Sequence, residues 1–205
     1  MAPVRHLQRL YSVVLGVAVG LAVDHVIDTK RNGVPIRWTD FALFVTFAVV
    51  ALAFYQISAR YLDLSYEDLE PSPAARRRVV RDLVLGGVQV LLVVALGVLV
   101  GRPTTFAYVM LILFGVNLIG IVLLKLLGDE LGRVEQHALV PDVFAVAALA
   151  GVIAVTGVGI SSKELDATIL KVALPIIGVV RMTWHYGAAF DDLFFRPKEA
   201  RGPHA

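Results

Sequence analysis

The chain has 205 residues, 58% of them hydrophobic and 18% charged, where soluble domains average about 45–50% and about 25%. One core of this size cannot hide that much apolar surface from water, so the composition excludes a soluble fold and points to lipid as solvent. A formal net charge of +2 is too small to imply nucleic acid as a partner, and the absence of cysteine excludes disulfides, thiolate zinc sites and iron–sulfur clusters.

A helix that crosses about 30 Å of hydrocarbon at about 1.5 Å per residue needs about 20 mostly apolar residues. Six stretches meet that length, at residues 7–27, 39–60, 79–101, 103–127, 140–160 and 167–190. Arg5 and Arg9 ahead of the first suggest a secretory leader. The run continues to a full span, however, and Asp24-His25 stands where cleavage would need small residues. Within it Ser12, Gly16, Gly20 and Asp24 recur every four residues and share one broad helix face. Gly16-x-x-x-Gly20 is the spacing that lets membrane helices approach closely. Alternatively the face lines a pathway, with Ser12 at one mouth and Asp24, beside His25, at the other, where a carboxylate gathers cations.

Asn32-Gly33 marks the turn into the second span. The linker after it, residues 62–78, is acidic at Glu67, Asp68 and Glu70, broken by Pro71 and Pro73, and basic at Arg76, Arg77 and Arg78, with Arg81 following. Arginines that do not recur every third residue within a span make no voltage sensor, and the cluster reads as an anchor for anionic lipid. The third span carries Gln89 and ends in Gly101-Arg102-Pro103, where Pro103 suits a first helical turn. The fourth carries Asn117. Pro141 is expected to open the fifth, and Ser161-Ser162 to end it.

In the sixth span Lys171 lies close enough to the end to snorkel, Pro175 predicts a kink, and Arg181 and His185 lie deeper. An ionisable group at the bilayer centre costs about 2.5–3.5 kcal/mol on insertion scales, so Arg181 requires a partner, expected to be Asp82, Asp191 or Asp192. Gln89 and Asn117 are expected to bond between helices or to hold a solute. Tyr11, Tyr55, Tyr61, Trp184, Tyr186 and Phe190 form an expected interfacial belt.

Twelve Lys and Arg residues fall on the side of the N-terminus and six on the other, with Arg181 uncounted. The positive-inside rule then places both termini in the cytoplasm of a multi-pass inner-membrane protein. The expected fold is all-α: a polytopic transmembrane bundle of six membrane-spanning helices in a single domain over residues 1–195, with a short polar tail at 196–205.

Arg5 and Arg9 followed by Tyr11-Ser12, the run Phe54-Tyr55-Gln56-Ile57-Ser58-Ala59-Arg60-Tyr61, and the hairpin Gly101-Arg102-Pro103-Thr104-Thr105 occur in this order. Residues 5–105 thereby resemble the bacterial six-helix relatives of the endolysosomal leak potassium channel. That family has an Arg-x-x-x-Phe-Ser-Asp motif in its first helix and a Trp-x-x-His-His segment in its second. Leu7 and Val13 stand in place of the motif's Arg and Asp, and Ser58 and Ala59 in place of the histidines, so potassium selectivity does not carry over. The resemblance implies a six-helix protomer that assembles with copies of itself around a pore lined by its first helix. Its constriction would be apolar, at Val17 and Leu21.

Three functions fit these features. One is a homo-oligomeric, channel-like permeation protein for small cations, with Ser12, Gly16, Val17, Gly20, Leu21 and Asp24 along the pore. Another is a small alternating-access carrier built on the sixth helix, with Gln89, Asn117, Arg181 and His185 as its intramembrane polar cluster and Arg181 holding an anionic group. A third is a membrane scaffold or effector subunit without transport activity. No nucleophile motif or metal-ligand histidine spacing occurs, so neither an enzyme nor a cofactor is expected.

Overall fold

The computed structural model of the chain describes residues 2–31, 38–66, 73–126, 133–157 and 163–194. These form six helices: α1 (Ala2–Arg31), α2 (Trp38–Tyr66), α3 (Pro73–Val98), α4 (Pro103–Leu126), α5 (Arg133–Gly157) and α6 (Lys163–Phe194). Five contain a span long and apolar enough to cross a membrane: Asp40–Ala59, Val79–Val98, Pro103–Leu126, His137–Gly157 and Asp166–Gly187. In α1 the apolar stretch among the described residues is Tyr11–Ile27.

The helices outlast their apolar stretches. Helix α2 runs on to Tyr66 and α3 starts at Pro73, so Arg76, Arg77 and Arg78 lie on the first turns of a helix rather than in an extended linker. Helix α5 starts at Arg133, eight residues before the proline expected to open it, and Pro141 lies inside. A proline there has no N–H to donate, which leaves the carbonyl four residues earlier, that of His137, without its helical partner. Ser161 and Ser162, the expected end of the fifth span, are outside the described residues, as is the 196–205 tail. The α3–α4 hairpin forms as its sequence predicts. Arg102 N donates to Leu99 O (2.8 Å), Phe106 N donates to Arg102 O (2.9 Å), and Pro103 occupies the first helical position.

Around the bundle the order is α1, α2, α6, α5, α4, α3 and back to α1, with α4 also meeting α6 and α2 meeting α3 across the middle. Cross-helix pairs fix the directions. Tyr11 near the start of α1 stacks edge-on with Phe54 of α2, and Lys171 near the start of α6 meets Asp40 at the start of α2, Nζ to Oδ1 2.7 Å. One end of the bundle therefore gathers the starts of α1, α3 and α5 with the ends of α2, α4 and α6. The opposite end is closed by an apolar layer that includes Leu43, Phe47, Leu96, Phe106, Met110 and Leu174, all fully buried.

Helix α1 packs through small residues, but not the glycines. Ala18 and Ala22 are fully buried against the bundle, and a Cβ added at Gly97 of α3 would lie 2.5 Å from the Ala18 carbonyl oxygen. Gly16 and Gly20 face outward, and added Cβ atoms there would meet nothing within 4 Å. Within one protomer Gly16→Ala and Gly20→Ala should therefore be neutral, or stabilising by up to about 1 kcal/mol through the helix preference for alanine. Thermal unfolding of the monodisperse protomer checks this. A clear loss of stability would mean that something packs on that face.

Candidate functional site

Four helices that are neighbours around the ring each contribute one polar side chain to a continuous hydrogen-bonded chain. Gln89 Nε2 of α3 donates to Asn117 Oδ1 of α4 at 3.1 Å. Asn117 Nδ2 donates in turn to Asp142 Oδ2 of α5. Arg181 Nε and Nη2 of α6 donate to Asp142 Oδ1, the first at 2.7 Å. The order follows from what each group can offer. A carboxylate only accepts and a guanidinium only donates, whereas the amides do both, so Asn117 can pass from a donor on α3 to an acceptor on α5.

Asp142 is wholly buried and Arg181 nearly so. The guanidinium also lies over the Phe114 ring, 4.9 Å from its centroid, and Nη1 points at Met182 Sδ at 3.1 Å, a weak acceptor. Charges this deep persist only when paired and hydrogen-bonded, and here both conditions hold.

His185, one turn beyond Arg181, is 1% exposed, and neither ring nitrogen has a hydrogen-bond partner of normal geometry among the described residues. Its ring faces the backbone of His137, the carbonyl released by Pro141. A buried imidazole without a partner is costly, and this one stands in the wall of a cavity.

Arg181, His185, Gln89 and Asn117 all line a cavity of about 150 Å³ inside the bundle. All six helices contribute to it, Tyr11 from α1 and Ala138 from α5 among them. Nearer the end where the chain starts, its wall includes Ser58, Leu62, Asp82 and Leu124; Asp82 is paired with Arg81, Nε to Oδ1 3.0 Å. Tyr11 belongs to this wall and not to an interfacial belt. It is 7% exposed, and its hydroxyl fills the space where a Cβ on Gly86 would lie, 1.9 Å away. The glycine at 86 is what admits the tyrosine.

The structure thus unites the four residues read from the sequence as an intramembrane polar cluster, and adds Asp142. The expected partners of Arg181 are replaced: Asp82 pairs with Arg81, and the side chains of Asp191 and Asp192 lie outside those described. Lys171 does not simply snorkel but forms the ion pair with Asp40. Helix α6 runs unbroken through Pro175.

The second candidate set stays apart from the cavity. Ser12, Gly16, Val17, Gly20, Leu21 and Asp24 are all exposed on the outer surface of α1. Ser12 Oγ lies 3.0 Å from Tyr55 Oη. Among the described residues no group of three histidine, aspartate or glutamate side chains is placed to hold a metal ion. Comparison with protein-family models, with curated proteins and with solved structures finds no match.

Proposed function

We propose that this multi-pass membrane protein moves a small polar solute through the interior of its own bundle, as an alternating-access carrier with its site at Gln89, Asn117, Arg181 and His185. The observation that carries this reading is the cavity into which all six helices project, with an unsatisfied histidine and a neutralised arginine in its wall. Intramembrane ionisable groups that face an internal cavity are the usual mark of a solute pathway. The lysine and arginine asymmetry supports an orientation with both termini cytoplasmic, so the polar end of the cavity would open inward and the apolar layer would close the outer side. Arg76, Arg77 and Arg81 would then lie where anionic headgroups are attracted.

Because the chain has no native cysteine, single cysteines can be placed at Ser58, Gln89 and Leu96 and labelled in oriented vesicles with a membrane-impermeant maleimide. Ser58→Cys and Gln89→Cys should label from the cytoplasmic side in the state described here. Leu96→Cys should label from the opposite side only when the carrier turns over. Lack of labelling at Gln89→Cys from either side sinks the proposal.

A second reading is favoured by one observation: the exposed stripe of Ser12, Gly16, Gly20 and Asp24, with open space over both glycines. It suits a face that meets copies of the chain around a shared cation pore, with Val17 and Leu21 as its constriction. A monomer in native nanodiscs would eliminate it without touching the carrier reading.

A further inference from the structure

Among the described residues the charges of the cavity are paired. Asp142 is neutralised by Arg181, and Asp82 by Arg81. A bare anion or cation would therefore arrive uncompensated in a poorly solvated interior. What the wall lacks is a partner for His185. With one ring N–H directed at the His137 carbonyl, the other ring nitrogen of a neutral imidazole is an acceptor, and it requires an occupant that donates. Among the described residues Arg181 Nη1 meanwhile points at the soft sulfur of Met182, and an anionic oxygen is a better acceptor. The rest of the lining is largely aliphatic and aromatic, with Val50, Phe54, Leu113 and Ile121 among it.

Resting on the carrier reading above, we infer that the cavity takes a short-chain carboxylic acid as one monoanion together with one proton, the carboxyl oxygens between His185 and Arg181 and the alkyl chain against the apolar wall. The proton comes from the aqueous side and is shared between a carboxyl oxygen and the free His185 nitrogen. No other bond is made or broken, and the complex adds no net charge to the bundle. A volume of about 150 Å³ is that of a cavity known to hold benzene, which sets the ligand at about half a dozen heavy atoms. A primary amide offers the same donor and acceptor. The acid is favoured because a guanidinium bonds more strongly to an anionic oxygen than to a neutral one. Among the described residues the titratable or charged groups around His185 are Tyr11 from α1, Arg81 and Asp82 from α3, His137 and Asp142 from α5, and Arg181 and Tyr186 from α6; α2 and α4 bring Ser58 and Asn117, which do not titrate.

Short acids cross lipid unaided as neutral molecules, so binding is the better readout than flux. Purified protein in nanodiscs is titrated calorimetrically with propionate, propionamide and methylammonium, in two buffers of different ionisation enthalpy, above the acid's own pKa. The expected result is uptake of about one proton per propionate bound, with affinity falling about tenfold for each unit rise in pH. His185→Gln should abolish the proton uptake and weaken propionate about tenfold or more. The proton count on the unaltered protein stands even if that variant folds poorly. Propionate binding without proton uptake, or propionamide binding as tightly as propionate, overturns the inference. Binding of methylammonium instead overturns the ligand class and leaves the carrier reading in place. No binding of any of the three, together with no labelling at Gln89→Cys, brings down both.

Discussion

Replacing Asp142 by asparagine should destabilise the protein by about 3–5 kcal/mol, the cost of leaving a buried charge without its counter-ion. The side chain keeps its shape and can still bond to Asn117, but it cannot neutralise Arg181, and the guanidinium cannot discharge itself by losing a proton. Arg181→Gln should cost less, because the carboxyl group left behind can become neutral by taking up a proton. The double variant Asp142→Asn/Arg181→Gln should recover much of the loss of the first, since two neutral amides can bond to each other. The measurement is a double-mutant cycle on thermal unfolding in detergent. If Asp142→Asn alone were neutral, the pair would not be the buried contact at 2.7 Å that the structure places between α5 and α6.

Gly97→Val should be the second severe change. Even the first carbon of a side chain at Gly97 would stand 2.5 Å from the Ala18 carbonyl oxygen, and that obstacle is backbone. Helix α1 must then move away from α3, uncovering Ala18 and Ala22, for a cost of about 1–3 kcal/mol from overpacking, with Gly97→Ala toward the lower end. Gly178→Ala provides a contrast. Its Cβ would meet the side-chain methyls of Met110 and Thr46 at 3.2 Å, neither of them backbone, and the unbranched Met110 can shift. Far lower yield and earlier unfolding for Gly97→Val than for Gly178→Ala is the expected result, and equal tolerance would refute the close α1–α3 approach.

Much of this was legible in the residues. Apolar run lengths give the helices, and Gln89, Asn117 and Arg181, polar side chains deep in their spans, each find a neighbour to bond. Asp142 was the omission. Read as the residue after a helix-opening proline, it belongs to the headgroup zone; with α5 beginning at Arg133, it lies well inside. A rule of depth would have found it. An arginine near the end of the sixth span needs a carboxylate at matching height, and Asp142 and Asp82 both qualify by position. The preference for consecutive helices to pack side by side then chooses α5 over α3. The facing of α1 was less accessible, since Gly16 and Gly20 lie two residues from Ala18 and Ala22, on nearly the opposite side of a 3.6-residue helix. Both stripes are small enough to pack, and only the fit against Gly97 on another helix decides between them.

The closed layer of Leu43, Phe47, Leu96, Phe106 and Met110 also determines where voltage acts. Under the carrier reading, whenever the cavity is open to the aqueous phase the electric field concentrates across this short dry plug more than along the whole 30 Å or so of the bilayer. An ion that travelled from the mouth to Arg181 would feel little of it. One forced through the plug would do nearly the full work of about 2.3 kcal/mol per elementary charge per 100 mV, while a cargo without net charge would pass indifferent to polarisation.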